Sequence, residues 1–394
     1  MTLSRWASAQ VAAGGWVRRM FAQGQRLRAE FGDDAVVDLA LGQPLDEPLP
    51  EVRDALLAAA SERGRARFGY MPNLGFPEVR ERVAAHMGVE GLERESIILT
   101  GGAGAAVVLA LRAFVDVGDE VVGITPYFGE YPAYCNTIGA TFVPAAPSDD
   151  GGLDLEAIAA ALTPRTRALV LNTPCNPSGH VVDESEMAAL AEVLEEHAPV
   201  AGGPVLLIVD EVYHRLVYPP ARRVDPFALH PRTVLARSFS KDLGLAGERI
   251  GYLALHPALA TPEIGRALEV CMRAIGFVNA PATMQRMLLH LPVWQVDTLP
   301  YVERRDHAVA CAREAGLDLG VPDGALYLWA RSPWDDTLDF VQTLARRRVL
   351  VAPGVGFGMP SHLRICFTAP RERLEEAMEI VSGLVSSAPR SALG

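Results

Sequence analysis

Lys241 lies in Ser238-Phe239-Ser240-Lys241, and Arg249 follows it by eight residues. A lysine among small hydroxyl residues at the end of a buried strand can be held partly desolvated. That lowers its pKa and leaves a neutral amine, the nucleophile for imine chemistry with a carbonyl ligand. Ser238 and Arg249 suit an anionic handle on such a ligand, because a guanidinium grips phosphate in a bidentate way. Taken alone, Lys241 reads as a solvated loop residue, and its neighbours decide otherwise. Asp210-Glu211-Val212-Tyr213 follows the apolar run 205–209. A carboxylate leaving a buried strand is costly without a partner. A protonated ring nitrogen would serve, as would a helix cap or an internal arginine. Tyr213 is either a donor to a phenolate oxygen or a core residue.

Asn172-Thr-Pro-Cys-Asn176-Pro-Ser-Gly179 follows the run 168–171. Its prolines and glycine make a stiff loop that can fix an amide side chain, so Asn176 is a candidate donor to a ligand. Thr100-Gly-Gly-Ala-Gly104 stands between a short run and a helical stretch, where backbone N–H groups take anions. It is not the dinucleotide fingerprint. Val107 stands where G-x-G-x-x-G, counted from Gly102, needs its last glycine. Neither a G-x-S-x-G elbow nor an H-E-x-x-H helix occurs, and the nine histidines do not cluster.

These residues need a scaffold that brings several strand ends together. Seven short apolar runs (97–99, 120–124, 140–143, 168–171, 205–209, 234–236 and 250–255) alternate with helical stretches such as 105–115, 155–162 and 184–197. That pattern reads as crossover units on a mainly parallel sheet, whose ligands bind at the carboxyl ends of strands. Asp183, with Glu186 three residues on, predicts a capping box for the third helix. After about residue 288 the pattern becomes helix 301–315, strand 325–330, helix 338–347, strands 349–351 and 363–367, and helix 371–384. This predicts a smaller α+β unit that residues 1–49 join. The polar tail 386–394 is expected to fray. Before Glu30, five arginines (Arg5, Arg18, Arg19, Arg26, Arg28) and no acid resemble a transit peptide. Trp16, Val17, Met20, Phe21 and Leu27 instead space as an amphipathic helix leading into the run 36–41, and that reading is preferred.

Length adds little but excludes much. The 394 residues suit two domains, or one large and one small, and 49% hydrophobic with 21% charged residues is ordinary globular composition. A net charge of −12 argues against nucleic acid as the main partner. The five cysteines (Cys135, Cys175, Cys271, Cys311, Cys366) form no C-x-x-C pair, so neither a disulfide frame nor a zinc site is indicated. They fit a reducing cytoplasm. No apolar run reaches the ~18 residues of a membrane span.

Taken in order and spacing, L-x-L-G-Q-P (39–44), Y-x-x-x-x-G-x-x-x-x-R (70–80), T-x-G-A (100–103), N-x-P-x-N-P-S-G, D-E-V-Y, S-x-S-K-x(7)-R and L-R-I (363–365) form a specific set. The set resembles the aspartate-aminotransferase family, the class I/II aminotransferases among fold-type-I pyridoxal-phosphate enzymes, from about residue 35 to 384. The resemblance implies an α/β fold with a large cofactor-binding domain, residues 50–288. Its mainly parallel, mixed seven-stranded sheet would be flanked by helices, and a smaller α+β domain would come from residues 1–49 and 289–394. It implies pyridoxal 5'-phosphate held as a Schiff base on Lys241, which would also move the proton at the substrate carbon. Asp210 would pair with the ring nitrogen, Asn176 and Tyr213 with the ring 3-oxygen, and Phe128 would stack on the ring. Gly102, Ala103, Gly104, Ser238 and Arg249 would hold the phosphate. Arg364 would take the substrate carboxylate, with Asn176 and the backbone of Gly42 beside it. In the implied homodimer, Tyr70 would reach the neighbouring subunit's phosphate. Gly101 and Ala105 depart from the amide and the acid or glutamine frequent in relatives, and Phe128 stands where some have tryptophan.

The implied reaction moves an amino group from an L-amino acid to a 2-oxo acid. The same residues also serve β- or γ-eliminating lyases and cyclising enzymes, because a good leaving group can depart once the Cα proton is gone. A non-catalytic cofactor-binding regulator fits less well, since too few residues precede the motifs for a helix-turn-helix module. A nicotinamide oxidoreductase fails on its glycine fingerprint. Arg273 lies where some relatives place a second arginine from the neighbouring subunit, which would select aspartate or glutamate. Its ordinary alternative is a helix-end ion pair.

Overall fold

The computed structural model describes residues 2–13, 15–44, 48–64, 69–148, 151–292 and 294–387. Helices α1 (Arg5–Ala13) and α2 (Trp16–Phe31) lead into the short strand β1 (Val37–Asp38). The expected amphipathic helix is present as α2. It buries Met20 and packs Leu27 on the core, while Phe21 stays exposed. The side chain of Val17 lies outside the described residues. Helices α3 (Pro50–Ser61) and α4 (Pro77–Met87) each open on proline, whose missing N–H is no loss in a first turn.

The seven runs are all strands: β2 (Ile97–Thr100), β3 (Glu120–Ile124), β4 (Thr141–Ala145), β5 (Thr166–Asn172), β6 (Leu206–Asp210), β7 (Thr233–Ser238) and β8 (Gly251–Leu255). They form one sheet in the order β2-β8-β7-β6-β5-β3-β4. Strands β3 to β7 pair in parallel, and β8 runs antiparallel between β2 and β7. The central strands are buried along their whole length because helices cover both faces, which is why they read as unbroken apolar runs. One face is packed by α5 (Ala103–Phe114), α6 (Tyr131–Ile138) and, later in the chain, α9 (Pro262–Ala274). The other carries α3, α4, α8 (Glu184–His197) and α10 (Ala282–His290). The short α7 (Leu155–Ala161) lies beside α8. Asp183 and Glu186 form the capping box, with Asp183 Oδ1 accepting from the Glu186 N–H at 2.8 Å and Glu186 Oε2 from the Asp183 N–H at 3.1 Å.

A third core gathers the chain ends. It contains α11 (Leu299–Glu314), β9 (Asp318–Leu319), β10 (Tyr327–Arg331), α12 (Thr337–Arg346), β11 (Val349–Leu350), β12 (Ala352–Pro353), β13 (His362–Cys366) and α13 (Arg371–Ser386). The single strand expected over 349–351 is divided. β11 pairs in parallel with β1, and past Val351 the chain crosses to a separate sheet ordered β12-β13-β10-β9. The N-terminal residues Met20, Val37 and Leu39 belong to this core, as do Tyr213, Leu216 and Tyr218 from the segment after β6. Of the tail 386–394, residues 388–394 lie outside the described residues. No helix among the described residues is long and apolar enough to cross a membrane.

Candidate active site

Parallel strands that end in register bring their last residues together. Asn172 closes β5 opposite Asp210 on β6, and Asp210 pairs in turn with Ala236 on β7, two residues before Ser238. Beyond these ends lies a cavity of about 300 Å³. Gly42, Ala103, Gly104, Phe128, Asn176, Asp210, Tyr213, Ser238, Lys241, Arg249 and Arg364 all line it. Leu41 and Gly42 line it from the side of the third core, to which the neighbouring Leu39 and Ala40 belong.

Lys241 lies along the wall, its Nζ donating to the Gly42 carbonyl at 2.5 Å. Burial lowers its pKa to about 8; the Cys366 thiol opposes that shift, and the Arg364 and Arg249 guanidinium groups assist it. Asp210 faces it from β6. Its Oδ2 accepts from the Tyr131 hydroxyl at 2.8 Å, while Oδ1 is buried with no hydrogen-bond partner. Burial raises this carboxyl to about 6, against the stabilising bonds from Tyr131 and the Val212 N–H.

The amide loop is tied to the same strand end. Asn172 Nδ2 donates to the Asp210 carbonyl at 2.8 Å, and its Oδ1 accepts from the Asn176 N–H at 2.7 Å. Asn176 Oδ1 accepts from Arg364 Nη1 at 2.8 Å, which leaves the Asn176 Nδ2 as its donor. Arg364 also donates to the Ala40 carbonyl, and its guanidinium lies 4.3 Å from the Tyr327 ring centre and 4.9 Å from that of Phe357. Its Nε is buried and unpartnered. Tyr213 and Tyr327 share a hydroxyl hydrogen bond of 2.8 Å.

At the opposite end, α5 starts at Ala103, two residues before its expected start, so Ala103 and Gly104 sit in its first turn with Gly102 as cap. Gly102 has φ +104°, and a Cβ there would lie 2.6 Å from Arg249 Nη2. Only glycine suits both constraints. Arg249 donates to the carbonyls of Gly101 (2.8 Å) and Ala246 (2.9 Å), and Ser238 Oγ lies 2.7 Å from Ser240 Oγ. Phe128 meets Tyr131 edge to face, ring centres 5.6 Å apart.

Three expected residues do not line this cavity: Gly102 lies just behind it as the cap of α5, and two more are not brought to it within the chain. Tyr70 is fully exposed. Arg273, at the end of α9, is half-exposed and pairs with Glu269 at 3.5 Å. Conversely, Asn172, Tyr134 and Tyr327 line the cavity, and Tyr131 stands behind it on Asp210, although the sequence reading gave none of them a role. Tyr131 stands three residues after Phe128 and Asn172 opens the amide motif, so both were within reach. Tyr327 carries no local signal, because its role comes from partners distant in sequence.

The arrangement joins a desolvated amine, an unpartnered carboxylate oxygen, an anion-binding helix start and a fixed guanidinium. That set can activate and orient a small anionic carbonyl ligand. Comparisons with known proteins give the family. The family model described as aminotransferase class I and II matches residues 34–381. A probable aspartate/prephenate aminotransferase of Thermus aquaticus is 30% identical over 356 residues, covering 87% of this chain and 90% of that protein. An aromatic amino acid aminotransferase of Mycobacterium sp. (strain KMS) is 31% identical, covering 88% and 95%. The crystal structure of an aminotransferase from Eubacterium rectale superimposes with a TM-score of 0.89 at 27% identity, covering 98% and 99%. The chain therefore belongs to the class I and II aminotransferases and is an enzyme that transfers amino groups.

Proposed function

We propose that this aminotransferase works with pyridoxal 5'-phosphate held on Lys241 and passes an amino group from an L-amino acid to a 2-oxo acid. The observation that carries this reading is Asp210 Oδ1, a buried carboxylate oxygen without a partner on the cavity that also holds the lysine amine. A protonated ring nitrogen is the partner such an oxygen lacks, so the residues present fit the group. When bound, the cofactor supplies an electron sink for the charge that develops at the substrate Cα.

The chain's own residues do the rest. Asp210 keeps the ring nitrogen protonated, and Tyr131 holds the carboxylate in place. Lys241, with its pKa lowered to about 8, can take a proton at Cα and return it. Asn176 Nδ2 and the Tyr213 hydroxyl serve as donors to the ring 3-oxygen. Phe128 packs on the ring. Ser238, Arg249 and the backbone N–H groups of Gly102, Ala103 and Gly104 hold the phosphate. Arg364, held by Asn176 and the Ala40 carbonyl, takes the α-carboxylate beside Gly42.

The enzyme is proposed to act as a homodimer, with Tyr70, fully exposed in its own chain, reaching the partner's phosphate. We propose a division into residues 50–288 and 1–49 with 289–394; the cores follow it except that Tyr213, Leu216 and Tyr218 pack with the chain ends and Leu291 and Trp294 with the large sheet. The free cysteines fit a reducing cytoplasm. For the amino donor we favour a dicarboxylate, with Arg273 acting from the second copy. The name of the Thermus aquaticus relative supports this choice, and that of the Mycobacterium relative points to aromatic substrates instead. Arg273→Ala should weaken aspartate or glutamate far more than alanine or phenylalanine; equal losses for all four would remove Arg273 from the specificity site.

The purified protein should be yellow and bleach with borohydride, and Lys241→Ala should not. A colourless protein that takes up no cofactor overturns the reading. Incubation with amino acids and no acceptor should release one 2-oxo acid per site. Continuous ammonia release would instead favour elimination.

A further inference from the structure

We infer that the Tyr134 hydroxyl is a ligand of the cofactor's phosphate, occupying the place of the side chain that position 104 lacks. The inference rests on the reading of the cavity as a pyridoxal-phosphate site.

The loop at the phosphate end, residues 101–105, is Gly-Gly-Ala-Gly-Ala and carries no side-chain donor. A phosphate offers three acceptor oxygens, each able to take more than one hydrogen bond. The side-chain donors already named there are partly engaged. Ser238 Oγ is shared with Ser240 Oγ at 2.7 Å and the Ile250 carbonyl at 3.3 Å. Arg249 spends Nη1 and Nη2 on the Ala246 and Gly101 carbonyls. Backbone N–H groups in the first turn of α5 and one further donor would complete the cup.

Tyr134, on α6, lines the same cavity. A Cβ built on Gly104 would lie 2.9 Å from the Tyr134 hydroxyl oxygen and 3.7 Å from its Cζ. The hydroxyl therefore fills the space over the first turn of α5 where a side chain at 104 would begin. No protein group among the described residues accepts its proton. The ring is placed by α6, whose Tyr134 N–H bonds the Glu130 carbonyl at 2.9 Å. Burial, helped by the charges of Glu130 and Asp210, raises the phenol to about 12. At neutral pH it is a donor, which is the form a phosphate needs. An O–H to a phosphate oxygen is charge-assisted and stronger than a neutral pair.

The test is half-saturation of the cofactor-free protein by pyridoxal 5'-phosphate and, separately, by pyridoxal, which lacks the phosphate. Both are followed by the absorbance of the bound ligand. Tyr134→Phe should raise the half-saturating concentration of pyridoxal 5'-phosphate by about tenfold or more and leave pyridoxal unchanged. Adding Gly104→Ser to Tyr134→Phe should recover most of the loss, because the new Cβ then meets only the ring carbon at 3.7 Å and brings its own hydroxyl. Equal losses for the two ligands, or none for either, would overturn the inference. So would a double variant as weak as Tyr134→Phe, which would place the loss in packing. If the unaltered protein captures neither ligand, the pyridoxal-phosphate reading itself falls, and that result is distinct from all of these.

Discussion

Asp210 and Glu211 leave β6 one after the other, and both are buried, yet their surroundings have opposite logic. Glu211 meets two arginines: Arg237 Nε donates to its Oε2 at 2.7 Å and Arg223 Nε to its Oε1 at 3.2 Å. Asp210 has only neutral help, from the Tyr131 hydroxyl at 2.8 Å and the Val212 N–H, and no cation beside it among the described residues. Adjacent residues on a strand end point to opposite sides, so one carboxylate is locked into the scaffold and the other is presented to the cavity. The first is a closed structural ion cluster of one acid and two arginines. The second lowers the stability of the empty protein, as expected of a group that waits for a cationic ligand.

Replacing each acid by its amide separates the two roles. Asp210→Asn should lower kcat by about a thousandfold, because a preorganised charge opposite the reacting system is worth that much. Glu211→Gln should lower folding stability by about 3–5 kcal/mol, the usual result of removing one partner from a buried pair, with kcat changed little. Denaturant melts and steady-state rates on both variants check this; a Glu211 variant that loses mainly activity would break the comparison.

The pH dependence sharpens it. The Asp210 carboxyl is raised from 3.8 to about 6 in the folded protein, so the folded state resists ionising it. Stability from this group is present below about pH 4 and falls as pH rises towards about 6. Cofactor-free Asp210→Asn should then be more stable than the parent at neutral pH by about 3 kcal/mol, since a tenfold change in acidity is worth about 1.4 kcal/mol. The difference should vanish at about pH 3.5, where the carboxyl is largely protonated folded or unfolded, as measured by melts across pH.

Two smaller effects belong to the amine and the tyrosine pair. With Lys241 lowered to about 8, capture of pyridoxal 5'-phosphate by the cofactor-free protein should rise about tenfold per pH unit below 8 and level off above it. A stopped-flow series across pH reads this directly. Tyr327→Phe removes the hydroxyl bonded to Tyr213 and should cost about 1 kcal/mol, seen as a several-fold fall in kcat/KM.

Much of this was legible in the chain, for reasons that differ by residue. Buried parallel strands announce themselves as short apolar runs, and ligands bind at the residues just past each run, so Asp210, Asn176, Ser238 and Lys241 stand out. The antiparallel course of β8 was not legible, since a strand buried on both faces reads alike in either direction. The division of β11 from β12 depends on which neighbours each finds. Tyr131 and Tyr327 look like any core tyrosine until Asp210 and Tyr213 are placed against their hydroxyls. The pairing of Glu211 with Arg237 and Arg223 joins a strand end to a loop and to the neighbouring strand, which no local pattern announces.

The contact between Gly42 and Tyr327 constrains how such a site can change over generations. A Cβ at position 42 would overlap the Tyr327 hydroxyl. That tyrosine cannot simply retreat, because its ring lies against Arg364 and its hydroxyl meets Tyr213. A side chain at 42 is therefore open only to a lineage that has already shortened or removed the side chain at 327. The two positions are epistatic in a fixed order: 327 first, 42 second, and the reverse route passes through a variant with a displaced arginine.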